Sequence, residues 1–117
     1  TAQDSVDCFE FLTTHDFAPV SSFMTHIPFE TEVDIAATFA LRDKLQAMCD
    51  ERGVSSYLMG PQPFRPYPGT KLYQECVQRG YKEPQSLEEW QNSIAPWGHS
   101  LIEQEYFWTD LKGVERK

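Results

Sequence analysis

The sequence predicts an α/β fold with parallel strands, and three observations predict it. Two short apolar runs, residues 20–27 and 54–59, flank a long segment of helical periodicity that opens on a capping pattern at Thr31 and stops at Gly53. Strand, helix and strand in that order form a βαβ unit, whose strands lie parallel and whose crossover is right-handed. A proline-rich stretch and a second amphipathic segment, ending at Gly80, come directly after it.

A first helix is expected from about Ser5 to His15, with Asp4 and Ser5 both candidates for its cap. Cys8, Phe11 and Leu12 recur at helical spacing. Residues 16–19, Asp-Phe-Ala-Pro, break it. Between residues 20 and 27 the apolar Val20, Phe23, Met24 and Ile27 alternate imperfectly with small hydroxyl residues. That pattern suits a strand covered on both faces. Pro28 ends it. In the long helix Val33, Ala37, Ala40, Leu41, Leu45 and Met48 form a stripe, while Arg42, Asp43, Lys44 and Gln46 read as solvated. Ile35 and Phe39 fall outside the stripe and imply a wide buried face. Gly53 supplies the C-terminal stop.

Four of the eight prolines lie between Pro61 and Pro68, after the second apolar run. Proline fixes φ, removes a donor and pushes its predecessor toward extended geometry, so this stretch reads as a stiff loop. Residues 70–79 then form a short helix with Leu72, Tyr73, Cys76 and Val77 on one face. Ser86-Leu87-Glu88-Glu89 is a second capping box, opening a helix that carries Leu87 and Trp90. Further on, Pro96 and Gly98 mark a turn, residues 105–109 a strand, and residues 113–117 a frayed end.

At 117 residues the chain is one domain's length, and 40% hydrophobic residues with eight Phe, five Tyr and three Trp can build a core. A net charge of −8 with dispersed acidic residues argues against nucleic acid or an anionic membrane as partner. Cys8, Cys49 and Cys76 are far apart, an odd set suited to a reducing compartment. No apolar run approaches about 18 residues and no signal peptide is seen, which predicts a soluble, cytoplasmic protein. The start at Thr1 without methionine is expected of a processed chain or a piece of a longer one.

In a βαβ unit the loops after both strands emerge at one carboxyl edge, where α/β folds bind ligands. This sets residues 25–30 beside residues 62–67. His26 can ligate a metal, donate a proton or bind an anion there, or be structural. Glu30 can accept hydrogen bonds from an amine, ribose hydroxyl or amide, or simply favour the helix N-terminus. Arg65 can grip a carboxylate or phosphate, or be solvated. Gln62, Phe64 and Tyr67 are interleaved among the prolines. Cys76 reads as core, Trp90, Trp97 and Trp108 as packing residues, and His15 and His99 as surface or turn residues. No HExxH, GxSxG or phosphate-binding glycine loop is present, so spacing alone identifies no catalytic set.

Two stretches nevertheless look like a known family. FRPYPGTKLYQECVQRGY followed by SLEEW resembles the segment after the sixth strand of radical SAM enzymes, with its PYPGTxLY pattern and glycine-stopped helix. SSFMTHIPFETEVDIAATFALRDKL resembles their preceding unit, a strand ending in GxPgET before a helix. Both motifs occur in order, and the resemblance runs from about Ser5 to Trp90. His26 and Phe29 stand where the family carries glycine, while Pro28, Glu30 and Thr31 match it.

The resemblance implies an incomplete (β/α) barrel of which this chain holds the last βα units, residues 1–83, with a helical and irregular extension over residues 84–117. It implies S-adenosylmethionine (SAM) near His26, Pro28, Glu30 and Gln62, with Phe64 and Arg65 toward a small-molecule substrate. A [4Fe–4S] cluster would be the parent's cofactor. The FRPYPGT form is most similar to members with a cobalamin-binding domain, which implies cobalamin as well. The cluster motif CxxxCxxC is absent from these 117 residues, so the cluster would belong to an N-terminal remainder of the parent. The isolated chain is then expected to be inactive and to dimerise or swap elements. The alternative is a non-catalytic α/β binding or interaction module.

Overall fold

The computed structural model describes residues 1–94. The turn at Pro96 and Gly98, the strand over residues 105–109 and the frayed end expected from the sequence lie outside them, as do Trp97, His99 and Trp108. The elements run α1 (Ala2–Thr14), β1 (Val20–Thr25), α2 (Glu32–Glu51), β2 (Tyr57–Pro63), α3 (Lys71–Gln78) and α4 (Leu87–Ile94). The strands pair in parallel as a two-stranded sheet. This is a small α/β fold, as the strand–helix–strand order predicted. No helix among the described residues is long and apolar enough to cross a membrane.

The contacts separate two units, one of Thr1–Thr25 with Glu32–Pro63, the other of His26–Thr31 with the chain from Phe64 onward. In the first unit Val6, Phe9, Leu45 and Cys49 are buried together, with Phe23, Leu41, Met48 and Leu58 packed on them. Leu45 is 1% exposed, a burial that contributes about 1.5–3 kcal/mol. In the second unit the core is Phe64, Tyr73, Cys76 and Tyr81, with Ile27, Val77 and Trp90 against it.

Several expectations need correction. α1 starts at Ala2, capped by Thr1, whose hydroxyl accepts the Asp4 N–H at 3.2 Å. Its buried face is Val6, Phe9 and Thr13, whereas Cys8 and Phe11 are exposed. The polar Thr13 hid this face in the sequence. It sits inside because its hydroxyl donates to the Phe9 carbonyl at 2.7 Å, leaving no unpaired polar group. β1 alternates outward and inward along its six residues, so it is a half-exposed strand and not one covered on both faces. It stops at Thr25, because His26 turns into the left-handed region at φ +63.

The stripe expected on α2 holds only in its C-terminal half. Leu41, Leu45 and Met48 pack inward with Cys49, while Val33 is 77% exposed and Ala37 and Ala40 face out. Ile35 is buried instead. Arg42 is not simply solvated. Its guanidinium reaches the Gly60 carbonyl at 3.4 Å and lies over the Phe39 ring at 5.2 Å.

The proline-rich stretch begins as strand and not as loop, since β2 continues to Pro63. Ser22 pairs with Met59 and Met24 with Gln62, so Gly60 and Pro61 together face Phe23 in a bulge. The Gly60–Pro61 peptide is cis. Bulges are where a strand accommodates prolines that cannot donate to the ladder.

Both predicted glycine stops form Schellman motifs. After α2, the Val54 N–H donates to the Cys49 carbonyl at 3.0 Å and the Gly53 N–H to Asp50 at 3.1 Å. After α3, the Tyr81 N–H donates to Cys76 at 2.9 Å and the Gly80 N–H to Val77 at 3.1 Å. α1 closes with the same outer bond, Phe17 N–H to the Leu12 carbonyl at 3.0 Å, using Asp16 at φ +60 in place of glycine.

Candidate functional site

Thr25 and Pro63 are register partners at the ends of the two strands, so the chain leaves both strands at the same edge. The segments after Thr25 and after Pro63 both belong to the second unit. Ile27-Pro28-Phe29-Glu30 is a tight turn there. The Glu30 N–H donates to the Ile27 carbonyl at 3.1 Å, Pro28 sits at the second position and Phe29 has φ +73. Proline followed by a positive φ is the pattern of a type II turn, which ordinarily takes glycine at that third position. The first half of the turn is anchored: Pro28 is buried and Ile27 packs on the second unit's core.

Glu30 is 6% exposed. Its carboxylate accepts the backbone N–H of His26, a bond that ties the two ends of the turn together. A buried carboxylate persists only when it is hydrogen-bonded. Its chemistry is that of an acceptor for amine, amide and hydroxyl donors. Phe29 is half-exposed, and the Arg79 guanidinium stacks 3.9 Å from its ring centroid.

The remaining candidates divide. Arg65 is half-buried in the second unit. Phe64 is buried among Tyr73, Cys76 and Tyr81 and packs in the second unit's core. Gln62 is exposed in β2, opposite Met24, and belongs to the first unit. His26, Pro28 and Glu30 thus lie together in and just before one turn, with the His26 N–H bonded to the Glu30 carboxylate.

The same unit holds a group of buried titratable side chains. The Tyr73 hydroxyl donates to the Glu83 carboxylate at 2.9 Å, and its ring meets Tyr81 edge-on at 5.8 Å. Burial, then the bond to Glu83, pushes the Tyr73 phenol up to about 12. Burial pushes the Cys76 thiol up to about 11, against the pull of the Arg79 charge, and raises Tyr81 too. Cys76 is therefore an inert core thiol. The sequence marked Phe29 only as a residue at a glycine position and did not single out Arg79, Glu83 or Tyr81, since their pairings join turn and helix across about fifty residues of chain or involve a loop with no periodicity. The glycine-type position of Phe29 was the one available signal.

The cysteines do not fit an iron–sulfur cluster. Cys49 is buried in the first unit's core, Cys76 in the second's, and Cys8 is exposed on α1. Three thiolates must converge on one cube of iron and sulfur, and no group of three metal-donor residues exists among the described residues. The open depression lined by Gln46, Asp50, Gly53, Val54, Ser55 and Ser56 lies at the amino end of β2, within the first unit, and holds none of the predicted site residues. Comparison with family models, with curated proteins and with solved structures found no match to this chain.

Proposed function

We propose that this chain is a part of a radical SAM enzyme, comprising βα units from the end of its partial barrel and contributing to the pocket for SAM and substrate. The observation that carries this reading is the turn after β1. Two positive-φ residues, His26 just before the turn and Phe29 within it, occupy the two positions where the resembling family segment has glycine. The matching Glu30 comes next, buried just past the carboxyl end of a strand in a parallel sheet.

In this reading Glu30 accepts hydrogen bonds from the amino or ribose hydroxyl groups of SAM, and the backbone around His26 and Pro28 forms the adjoining wall. Arg65 grips an anionic group of SAM or the substrate. The cluster that supplies an electron to SAM has no ligands in this chain, so its share is binding and not electron transfer. In isolation the chain is expected to associate with a second copy through the exposed strand residues Val20 and Met24.

The test begins with the parent reading frame, which is expected to encode CxxxCxxC upstream of Thr1. A native chain that starts here would sink the reading and favour a binding module. In the full-length protein, Glu30→Gln is expected to weaken SAM binding about 10- to 100-fold, the loss typical of a hydrogen bond to a charged group. Anaerobic reconstitution of the 117-residue chain with iron and sulfide is expected to give neither a cluster nor SAM cleavage.

A further inference from the structure

We infer that Arg79 is a positioning residue for the Glu30 turn, acting through Phe29. The turn carries an internal conflict. Phe29 holds φ +73 without being glycine, which costs on the order of 1–3 kcal/mol, and the residue is 55% exposed. Something must hold it there. The guanidinium of Arg79 lies 3.9 Å from the ring centroid, well within the range of cation–π attraction. Arg79 itself is firmly placed. It caps α3, its N–H shared between the Glu75 and Cys76 carbonyls at 3.1 Å each, and the glycine stop comes at once after it.

The stack therefore ties the third position of the turn to the end of a helix rooted in the core. One residue further along, the Glu30 carboxylate bonds the His26 N–H. Rotating Phe29 out of the left-handed region would swing Glu30 away from that donor. The role of Arg79 is to fix the backbone that aims the carboxylate. The inference deepens the radical SAM reading and rests on it for the identity of the ligand, while the positioning itself stands on the turn's geometry.

The test is amide hydrogen exchange on the intact chain, read at His26 and Glu30, with Cys49 in the other unit as reference. Arg79→Ala is expected to speed exchange at His26 and Glu30 about 3- to 10-fold and to leave Cys49 unchanged. Phe29→Leu should do the same, and the double variant should be no faster than either single one, because both remove one contact. Arg79→Lys should restore part of the protection, keeping the charge and losing the flat stack. Unchanged exchange at His26 in Arg79→Ala overturns the inference, as does equal acceleration at Cys49. If Arg79→Ala fails to fold, Phe29→Leu and Arg79→Lys decide it by the same criterion. In the full-length protein, SAM binding insensitive to Glu30→Gln, with the exchange effect intact, would remove the ligand reading alone. The converse pattern would remove the positioning role alone.

Discussion

A Cβ on Gly60 would come within 2.6 Å of both the Phe23 carbonyl oxygen and the Gln62 amide nitrogen. Both are backbone atoms of the bulge and cannot yield without breaking its pairing. Gly69 has the same φ, +87, with nothing within 4 Å of its Cβ direction. The pair separates clash from conformational strain. Gly69→Ala should cost about 1 kcal/mol, the strain alone, and Gly60→Ala at least about 2 kcal/mol more, measured as shifts in denaturant midpoint at constant slope. The buried phenol gives a second prediction. Tyr73 ionises at 10.0 ordinarily and at about 12 when folded. Its neutral form is favoured by folding, so the contribution is complete below pH 10 and is lost as pH rises toward 12. At 1.36 kcal/mol per unit the loss is about 3 kcal/mol. Cys76, moving from 9.0 to about 11, adds a loss in the same direction that begins near pH 9. Tyr73→Phe should weaken the chain by about 1 kcal/mol at pH 7 and flatten the alkaline decline, followed by circular dichroism across that range. At this scale the sequence was partly legible. Glu30, Pro28 and His26 could be named as candidates because they sit at a strand end before a helix, and the His26 N–H and the Glu30 carboxylate do meet there. The burial of Phe64 was not legible, because an aromatic among prolines looks alike whether it faces a ligand or a core.

At the level of elements, what local chemistry decides was legible and what packing decides was not. Gly53 and Gly80 marked two helix ends, and Thr70 and Ser86 marked two starts. The hydroxyl of Thr70 accepts the Tyr73 N–H at 3.1 Å and that of Ser86 the Glu89 N–H at 3.1 Å. The buried face of α1 and the half-exposed character of β1 depend on neighbours, and periodicity misassigned both. The extension of β2 through Pro61 and Pro63 was hidden because prolines argue against a strand unless a bulge receives them. One device between elements was invisible in the sequence. Arg52, just past α2, donates to the Thr13 hydroxyl at 2.6 Å and to the Glu10 carbonyl at 3.0 Å, with the Glu10 carboxylate at 3.4 Å. A cation there satisfies carbonyls at the end of α1 and favours its dipole. Thr13 is buried, so removing the donor leaves its oxygen with less compensation. Arg52→Ala should lower stability by about 1–2 kcal/mol, and Arg52→Lys should recover only part, since one ammonium cannot span three acceptors. Faster amide exchange confined to the last turn of α1 would mark the clamp as the cause. Unchanged exchange there would assign the loss to something else.

At the scale of the whole molecule, the sheet is the unfinished part among the described residues. Parallel sheets occur almost only with both faces covered, and two strands alone are marginal in water. Here α2 covers one face through Leu41, Leu45 and Met48, which pack with Phe23 and Leu58. Ser22 faces outward on β1 between Val20 and Met24. Val20 and Met24 are 65% and 55% exposed, and Val20 pairs in register with Tyr57, at 64%. These three are apolar or amphipathic, and each stands where a covered parallel sheet would be dry. A barrel offers one way to cover such a face, by placing it toward the interior. In the isolated chain a second copy can supply the same apolar surface. Sedimentation should therefore show a molecular weight that rises with concentration toward a dimer. Met24→Lys and Val20→Lys put a charge on the bare face without touching the core, and each should shift the midpoint of association at least about tenfold upward while leaving the thermal midpoint of the diluted chain nearly unchanged. A compact monomer over the whole concentration range would remove the sheet face as the contact. Dimers that persist in both lysine variants would instead move the contact to the sheet edges, where exchange of a strand needs only backbone partners and is indifferent to side-chain charge.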